Sequence, residues 1–408
     1  MTSEDGPVRV LIIHPRDPAA PTIGGIQTFL RDFIRYAPAD FEITFAGTTR
    51  DREARPIGRR VTVSIDGRQL SMLALAPAGG LPRDPVGLIA VGLAQVRLRV
   101  AMLRGRTVLQ IHRPFRPVYL TGHRGPRVQF VHVDIRDWPG PAAWGQMRGL
   151  YREFSDRALR AMARVFVVNE PGVNILRADH PSMAERIEFL PVWYDPATFR
   201  PAAAGEREQA RATLGIELGL DAAAANDRLV LFAGRLDAIK NPDLAIDALA
   251  EMAHDGATGV RLLIAGDGRL RAELEARART RAVGDRVHFL GDVPRGRLAA
   301  MMRAVDVLLL TSRSEGGGPR VVLEALASGL PVVATPVGEV RRTVAHMVGG
   351  WLIEEHSPLA TAAGLRWVLD QPTGQLSSAA IEAARPYTAE RVLVRVYDTY
   401  RDLLREAR

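Results

Sequence analysis

The sequence predicts an α/β protein built from two doubly wound, Rossmann-like domains. Along most of the chain, short apolar runs of strand length alternate with stretches whose apolar residues recur at helical spacing. Such alternation is typical of parallel sheets covered by helices on both faces. One segment, residues 200–227, is rich in alanine, glutamate and arginine and interrupts the alternation. At about 150 residues per domain, the 408 residues are enough for two or three domains.

The first half of the chain opens with the strand signal Val8–Ile13, followed by a loop rich in proline, glycine and alanine. A helix comes next, because apolar residues at 26, 29, 30, 33 and 34 share one helical face. Helical patterns near 86–104 and 144–163 separate the later strands. Those strands are predicted at Glu42–Phe45, Thr107–Ile111, Val128–Val133 and Val165–Val168.

The second half repeats the pattern with clearer ends. Asn241 followed by Pro242 indicates a helix start, with asparagine as the cap and proline at the first helical position. Another helix is predicted to begin near Pro319, after a loop rich in glycine. The strands are predicted at Leu229–Ala233, Arg261–Ala265, Val287–Leu290, Val305–Leu310 and Pro331–Ala334.

The interruption at 200–227 sets the predicted domain boundary. We expect an N-terminal domain over 1–195, a C-terminal domain over 196–385, and a final helix over 386–408 that packs back on the N-terminal domain. In such folds, ligands bind beyond the carboxyl ends of the strands, beside helix N-termini. A site in a cleft between the two domains is therefore expected.

Composition excludes several classes of protein. Hydrophobic residues make up 47% and charged residues 25%, which excludes wholesale disorder. The absence of cysteine excludes disulfides, iron–sulfur clusters, thiolate zinc sites and a cysteine nucleophile. No run of 18 apolar residues is present, and the N-terminal MTSEDGPVRV lacks the layout of a signal peptide. We therefore expect a cytoplasmic protein without a transmembrane helix.

The positive charge is almost entirely arginine. The net charge is +8, and 53 of the 54 basic residues are arginine, so Lys240 is the single lysine. Such a charge suits nucleic acid, an anionic membrane surface or ligands rich in phosphate, and by itself it does not choose among them.

Two segments of the second half have residues suited to phosphate. In FAGRLDAIKNP, Arg235 follows a strand and Lys240 precedes a helix, so a forked guanidinium and a compact ammonium could hold a diphosphate. A pair of solvated surface cations explains the same spacing equally well. In SEGGGPRVVLEALASG, three glycines before a helix expose backbone amides that favour an anion, and Glu324 could accept hydrogen bonds from a ribose diol. A flexible turn with a glutamate near a helix N-terminus is the plainer alternative.

Two further features are weaker. Gly24 and Gly25 precede the first helix and could approach a phosphate, although a tight turn is the simpler interpretation. His132 lies at a strand end in QFVHVDIRD, and metal ligands at usable spacing are missing beside it. Neither a P-loop nor a G-x-G-x-x-G fingerprint after the first strand is present, which disfavours P-loop NTPases and ordinary NAD sites.

An ordered series of segments resembles the retaining glycosyltransferases of family four, the group 1 glycosyl transferases, which have the GT-B fold. The resemblance runs through most of the chain and begins with the glycine pair at 24–25 and the histidine at 132. The matching segments are VFVVNE at 165–170, PVWYDPATFRP at 191–201, GRLDAIKN at 234–241, AGDG at 265–268, VHFLGDVP at 287–294 and SEGGGPRVVLEALASGLPVVAT at 314–335.

The resemblance implies a role for each matched residue. Arg235 and Lys240 would hold the donor diphosphate, Glu324 the ribose, and Glu315 the transferred sugar or the acceptor side, while His132 would lie at the reacting centre. One departure stands out: Glu315 and Glu324 have eight residues between them, whereas the family pattern has seven. Either the extra glycine bulges out or Glu315 is displaced. The remaining donor-site residues implied are Gly24, Gly25, Gly266, Val293, Gly316, Gly317 and Gly318.

The implied reaction moves a sugar from a nucleotide donor, a UDP- or GDP-sugar, to a glycan, lipid-linked or small-molecule acceptor with retention of configuration. Charge develops on the diphosphate as the glycosidic bond breaks, and two cations and the loop amides would stabilise it there. We therefore expect no metal and no resident cofactor, in agreement with the absence of a D-x-D motif.

The N-terminal domain is expected to bind the acceptor. Residues 85–133 contain no Asp or Glu and eight arginines, so an amphipathic helix over 86–104 could rest on anionic lipid at the inner face of the membrane. An ordinary helix with solvated arginines is the alternative. The arginines are Arg97, Arg99, Arg104, Arg106, Arg113, Arg116, Arg124 and Arg127.

Three other functions stay open at this point. A sugar-nucleotide epimerase or an α-glucan phosphorylase would share the fold, the latter with Lys240 as its pyridoxal phosphate lysine. A catalytically inactive nucleotide-sugar-binding protein is favoured by the unusual glutamate spacing. A nucleic-acid-binding protein is disfavoured, because no known module is present and aromatic residues make up only 6%.

Overall fold

The structure, a computed structural model, describes residues 6–15, 17, 19, 25–78, 91–98, 100, 107–112, 123–132, 156–219 and 226–407. The described strands are β1 Val8–His14, β2 Phe41–Thr49, β3 Arg60–Ile65, β4 Arg68–Pro77, β5 Thr107–Ile111, β6 Arg127–Val131, β7 Arg164–Val167, β8 Ile187–Phe189, β9 Arg228–Ala233, β10 Val260–Ala265, β11 Val287–Gly291, β12 Val307–Leu310, β13 Val332–Ala334 and β14 Gly350–Leu352. The described helices are α1 Gly25–Tyr36, α2 Glu170–Asp179, α3 Glu206–Glu217, α4 Pro242–His254, α5 Arg271–Thr280, α6 Arg295–Ala304, α7 Arg320–Ala327, α8 Val340–Thr343, α9 Pro358–Asp370, α10 Thr373–Ala384 and α11 Ala389–Glu406.

The chain divides into two compact units. The first unit comprises Met1–Pro191 together with Ala389–Arg408, and the second comprises Val192–Thr388. The predicted boundaries at 195/196 and 385/386 lie four and three residues from these divisions. Helix α11 packs within the first unit, where the Tyr397 hydroxyl donates to the Phe33 carbonyl at 2.8 Å.

The first unit contains a mixed sheet. Its described strands lie in the order β3-β4-β2-β1-β5-β6-β7-β8, and the pairs are parallel except for the antiparallel pair β3–β4. The sequence did not predict this pair, although Asp66-Gly67 forms its two-residue turn with positive φ at both positions. Aspartate followed by glycine is a common signal for such a turn.

The second unit contains a parallel sheet in the order β11-β10-β9-β12-β13-β14. Alternate residues of each strand point to opposite faces. Leu229 and Leu231 accordingly pack in one apolar cluster with α6, α7 and α10. Val230 and Phe232 pack in a second cluster with α4, α5 and α9. The unit is therefore doubly wound, as the alternating strand and helix signals predicted.

Most of the predicted elements agree with the structure. β5 has the predicted bounds, and the other predicted strands shift by a few residues at one or both ends. The predicted helix near 86–104 is described only in part, with helical residues at 91–98 and 100, and that near 144–163 is helical at 156–160. The segment at 200–227 contains the helix α3, which the sequence pattern did not predict. None of the described helices is long and apolar enough to cross a membrane.

Candidate functional site

The strand order of the second unit creates an opening at the carboxyl ends of β9 and β12. The chain leaves β9 toward β10 and β11 on one side, whereas β12 continues toward β13 and β14 on the other. The loops that follow two such strands turn away from each other and leave a crevice, which is where ligands bind in open parallel sheets. The loop at 234–241 follows β9, and the loop at 311–319 follows β12.

Hydrogen bonds join these two loops at their bases. The buried Thr311 hydroxyl lies 3.0 Å from the Lys240 carbonyl oxygen and 2.8 Å from that of Asn241. The Arg313 amide donates to the Ile239 carbonyl at 2.8 Å, and its guanidinium donates to the Asn241 side-chain oxygen at 3.1 Å. The loops around Lys240 are thus held together by short hydrogen bonds, of which those of Thr311 are the more buried.

The start of α4 corrects one prediction. The helix begins at Pro242, as predicted, but Asn241 makes no side-chain hydrogen bond to the helix and has a left-handed backbone with φ 49°. Its side-chain oxygen receives the guanidinium of Arg313 instead. Asn241 therefore ties the two loops together, and asparagine suits the position because it tolerates this backbone conformation.

Lys240 and Glu315 form the central ion pair of the second unit's crevice. The Lys240 Nζ lies 2.5 Å from Glu315 Oε1, and the Ser312 hydroxyl donates to the same oxygen at 2.7 Å. Their side chains are only 20% and 12% exposed. A half-buried carboxylate and ammonium need each other, because either charge alone would be costly at this depth. Glu315 therefore lies beside Lys240, with the extra residue of the glycine loop between it and Glu324.

Arg235 is held more loosely. Its side chain is 73% exposed and forms an ion pair with Asp237, with Nη1 at 3.1 Å from Oδ2. Asp237 also accepts the Lys240 backbone amide at 3.1 Å, which fixes the carboxylate. An exposed pair of this kind contributes little stability, so the guanidinium can turn to another anion at small cost.

Glu324 lies in the second turn of α7 and is buried. The Arg295 guanidinium lies 3.4 Å from Glu324 Oε1 and 5.1 Å from the centre of the Phe199 ring. Arg295, the first residue of α6, thus forms an ion pair with Glu324. The sequence did not predict this partner.

The glycine loop at 316–318 is shaped by close backbone packing. Gly338 has φ +56°, and a Cβ built on it would lie 2.1 Å from the Gly317 carbonyl oxygen. A Cβ on Gly318 would lie 2.7 Å from a methyl group of Val192. Glycine is therefore needed at 338 and 318 for packing, independently of any anion at the amides of the loop, where Gly316 is half-buried.

Gly266 also has a structural reason to be glycine. Its φ is +147°, its amide donates to the Gly291 carbonyl at 2.7 Å, and a Cβ would lie 1.9 Å from the Gly234 carbonyl oxygen. The loops after β9 and β10 thus meet backbone to backbone. Val293 is half-buried against the apolar cluster that includes α6.

In the first unit, three histidines follow three adjacent parallel strands. His14 ends β1, His112 comes directly after β5, and His132 comes directly after β6. His14 and His112 are buried and His132 is half-buried. The Nδ1 of His112 lies 2.8 Å from the Nε2 of His132. The sequence motifs indicated only His132, although His14 and His112 occupy similar positions at the ends of their strands.

Burial governs the charge of His112. It lowers the pKa of this imidazole well below its ordinary value, and the nearby His132 and His14 add to the effect. Among the residues that the structure describes, no group of three or more His, Asp or Glu side chains is arranged to hold a metal ion. A ring contact joins His14 to His112, and a hydrogen bond joins His112 to His132.

The glycine pair before α1 is only partly described. Gly25 is the first residue of α1, and a Cβ built there would meet no heavy atom of the described residues within 4 Å. Packing against that part of the chain therefore gives no reason for glycine at 25. Gly24 lies outside the described residues, as do most of the eight arginines of the basic stretch.

Comparisons with known proteins agree with this architecture. Over its whole length the chain is similar to sucrose-phosphate synthase from Thermosynechococcus elongatus, with a TM-score of 0.74, 19% identity and coverage of 98% of this chain and 99% of the other. It is also similar to Anabaena HepE in complex with UDP and glucose, with a TM-score of 0.70, 18% identity and coverage of 96% and 99%. The fold is accordingly the GT-B fold of glycosyltransferases.

The family follows from the sequence match. Residues 221–386 match the family model described as glycosyl transferases group 1, and this part of the chain belongs to that family, as the ordered motifs predicted. A curated relative from Xylanimonas cellulosilytica, named D-inositol 3-phosphate glycosyltransferase, is 37% identical over 53% of this chain and 51% of the relative. One from Nocardiopsis dassonvillei with the same name is 30% identical over 70% of this chain and 65% of the relative. The chain spans about half the length of the first curated relatives that it matches.

The contact between Gly338 and the glycine loop predicts a position-specific loss of stability. Gly338→Ala should cost about 3 kcal/mol, because alanine adds a clash with the Gly317 carbonyl to the roughly 1–2 kcal/mol of a left-handed backbone. Gly205→Ala is the matched control, since its φ is +76° and no atom lies within 4 Å of the added Cβ. Thermal unfolding should show a clearly larger decrease in Tm for the variant at 338. Equal decreases would contradict the proposed clash.

The buried His112 predicts a pH dependence of stability. Below about pH 6.5 the unfolded chain binds a proton at this imidazole, while the folded chain does not because its pKa is lowered. The contribution is present above about pH 6.5 and is lost as the pH falls, by at most about 1.4 kcal/mol per pH unit. The first unit of the wild type should lose more stability between pH 7 and pH 5.5 than that of His112→Asn.

Urea midpoints measured at each pH would check this dependence. The samples would be pulse-labelled with deuterium at one common pH, and peptides covering β5 and β6 would report on the first unit. Parallel pH profiles for the wild type and His112→Asn would show that His112 does not carry the effect.

Proposed function

We propose that the chain is a retaining glycosyltransferase that moves a sugar from a nucleotide-sugar donor to an acceptor. The observation that carries the proposal is the position of its single lysine. Lys240 lies at the crevice between the loops after β9 and β12, paired with Glu315, inside the segment that matches the group 1 family. Anabaena HepE, which is similar to this chain in fold, is described in complex with UDP and with UDP-glucose.

The proposed donor site uses Lys240 and Arg235 for the diphosphate. Each of the two cations forms an ion pair with a carboxylate. A bound diphosphate would therefore replace Asp237 as the partner of Arg235, and it would either replace Glu315 as the partner of Lys240 or bind Lys240 alongside it. Lys240 has three N–H donors, and Glu315 engages one of them. As the glycosidic bond breaks, the leaving diphosphate gains charge, and these cations together with the amides of Gly316, Gly317 and Gly318 would stabilise it.

The remaining donor contacts follow the family resemblance. We propose that Glu324 binds the ribose, that Glu315 hydrogen-bonds the transferred sugar, and that Gly266 and Val293 line the donor site. Gly24 and Gly25 would approach the phosphates, and His132 would act at the reacting sugar. Two cations and loop amides supply the charge that a metal provides in other sites, so we propose a reaction without metal or resident cofactor.

The donor and the acceptor are proposed at the level of chemical class. The donor is a UDP- or GDP-sugar, and the acceptor is a glycan, a lipid-linked sugar or a small molecule, bound by the first unit. The curated relatives named D-inositol 3-phosphate glycosyltransferase support a hydroxyl group of a small molecule as one such acceptor.

Calorimetric titration with UDP, GDP and ADP tests the donor site. We expect selective binding of one nucleotide, weakened about tenfold or more in Lys240→Ala because a charge-assisted hydrogen bond to phosphate is lost. Arg228→Ala is the matched control, since it removes a half-exposed cation at the opposite end of β9. Glu315→Gln should tighten binding of the free nucleotide, because the competing carboxylate is gone, and weaken binding of the nucleotide-sugar.

The possible outcomes separate the candidate functions. No binding of any of the three nucleotides by folded wild-type protein would contradict the donor site. Binding with no turnover over a broad panel of donors and acceptors would favour the inactive nucleotide-sugar-binding protein, which the spacing of Glu315 and Glu324 left open.

We also propose peripheral contact with an anionic membrane surface through the helix that includes residues 91–98. Leu93, Val96 and Val100 are about half exposed and recur at a spacing that places them on one face. On the other face, Ala94 and Leu98 are buried in the first unit. This pattern is typical of a helix that lies on a membrane.

The charge of the chain supports the same surface. Arg97 donates to the Gly58 carbonyl, and Arg127 donates to the His123 carbonyl at 2.9 Å. Both guanidiniums thus already have partners within the protein. The attraction to an anionic surface, such as the inner face of a cell membrane, rests on the net charge of +8.

Co-sedimentation with vesicles tests this contact. The wild type should sediment with vesicles rich in anionic lipid at low ionic strength and release at about 0.5 M salt, where the Debye length falls to roughly 4 Å. The double variant Leu93→Ser, Val96→Ser should bind several-fold less. The control pair Ile216→Ser, Leu359→Ser removes exposed apolar groups from the second unit and should have no effect. Failure of the wild type to sediment at low salt would overturn the proposal.

A further inference from the structure

A continuous series of hydrogen bonds runs through the first unit from α11 to His132. The Tyr400 hydroxyl donates to the Gln110 side-chain oxygen at 2.8 Å. The Gln110 side-chain nitrogen lies 2.6 Å from His112 Nε2, and His112 Nδ1 lies 2.8 Å from His132 Nε2. Tyr400, Gln110 and His112 are buried, with at most 3% exposure. We call the four residues Tyr400, Gln110, His112 and His132 the relay.

The chemistry of the first three groups gives the relay a direction. Burial raises the pKa of the Tyr400 phenol well above its ordinary value, so the hydroxyl keeps its proton and donates it to the carbonyl side of Gln110. The amide nitrogen of Gln110 then faces His112, and an amide nitrogen only donates. His112 Nε2 must therefore accept and carry no proton.

The same logic continues to His132. His112 is neutral, because burial lowers its pKa well below the ordinary value, and a neutral imidazole carries one proton. With Nε2 accepting, that proton lies on Nδ1 and is donated to His132 Nε2. The two rings are nearly coplanar, with 13° between their planes, so the donor and the in-plane lone pair of the acceptor are aligned.

We propose that Gln110 and His112 are positioning residues that fix His132 in the neutral form with its proton on Nδ1. His132 then serves its ligand as a hydrogen-bond donor to an oxygen and not as a proton acceptor. The ligand oxygen, a sugar or acceptor hydroxyl, rests on the proposed glycosyl transfer, whereas the tautomer itself does not.

Ring contacts keep the two imidazoles in this arrangement. Phe29 packs in T-shaped contacts against both imidazoles, with ring centres 4.7 Å apart for His132 and 5.3 Å apart for His112. Phe130 stacks beside His112 at 4.9 Å, and His14 meets it edge-on at 6.1 Å. These contacts hold the planes of the two rings. A 180° flip of either ring would put a carbon in place of a hydrogen-bonded nitrogen, so the observed contacts fix which nitrogens face each other.

Long-range proton–nitrogen correlation spectra of protein labelled with ¹⁵N histidine test the tautomers directly, without substrate. The His112 and His132 signals would be assigned with His112→Asn and His132→Asn. In the wild type near pH 7.5, both rings should show a protonated Nδ1 and an unprotonated Nε2. A protonated Nε2 on His132 would overturn the proposal.

Gln110→Glu should reverse the relay. A carboxylate only accepts, so His112 would place its proton on Nε2 and its Nδ1 would accept from His132 Nε2. The spectra should then show both histidines with protonated Nε2. Tyr400→Phe is the second variant, in case the buried glutamate prevents folding: without the hydroxyl the Gln110 amide can turn over, and the His132 signals should shift toward the other tautomer. An unchanged His132 tautomer in a folded variant whose His112 ring is neutral in the same spectra would also overturn the proposal.

Kinetics add a readout that separates the relay from the reaction. If the proposed transfer is measured, Gln110→Glu should lower kcat by about tenfold or more with a smaller change in the donor KM, since the donor site of the second unit is untouched. A reversed tautomer with unchanged kcat would overturn the role of His132 as a hydrogen-bond donor to the ligand. It would still support the control of the His132 tautomer by the relay. Absence of transfer in the wild type, with the expected tautomers, would count against the proposed function alone.

Discussion

The reversal of strand order beside β9 is the constraint on which the site of the second unit depends. Because the chain builds outward from β9 on one side and from β12 on the other, the loops at 234–241 and 311–319 diverge. Residues 75 positions apart, Lys240 and Glu315, meet there at 2.5 Å. The first unit obeys the same rule, since β1 lies between β2 and β5 and the histidines follow the three successive strands β1, β5 and β6.

Charge balance is the second common theme of the second unit's crevice. Arg235 and Lys240 each have a carboxylate partner, so the loops fold without an uncompensated cation. The two pairs differ in depth: the exposed pair is weak, whereas the half-buried Lys240–Glu315 pair is shared with Ser312. An incoming anion can therefore draw the exposed Arg235 away from Asp237 at small cost. To bind Lys240, it must also leave the charge of the half-buried Glu315 balanced. In the proposed donor site, sugar hydroxyls would take over the hydrogen bonds to Glu315, so that this carboxylate would leave Lys240 only when a sugar arrives together with phosphate.

The sequence predicted the strands that are buried on both faces, because an uninterrupted apolar run is a strong signal. It did not predict β3 and β4, where polar and apolar residues mix and only Asp66-Gly67 indicates the turn. β8 and β14 have three residues each, too few to show a periodicity. Lys240, Glu315 and Glu324 were found through motifs, whereas Arg295 and Asp237 were not. An ion pair leaves no pattern in one sequence, whether its partners lie on two helices, as Arg295 and Glu324 do, or in one loop, as Arg235 and Asp237 do. Gly266 and Gly318 were selected for a ligand, and close packing explains both glycines, against the Gly234 backbone for Gly266 and against the Val192 side chain for Gly318.

The last helix links the end of the chain to the chemistry of its first unit. Three contacts place α11 there: Tyr397 with the Phe33 carbonyl, Arg401 with Asp40 at 2.9 Å, and Tyr400 with Gln110 at 2.8 Å. Only the third reaches a side chain whose orientation matters for the histidines. A phenylalanine would fill the same apolar space, so packing alone does not require the hydroxyl. Its effect is to decide which end of the Gln110 amide faces His112, and through that choice which nitrogen of His132 carries the proton.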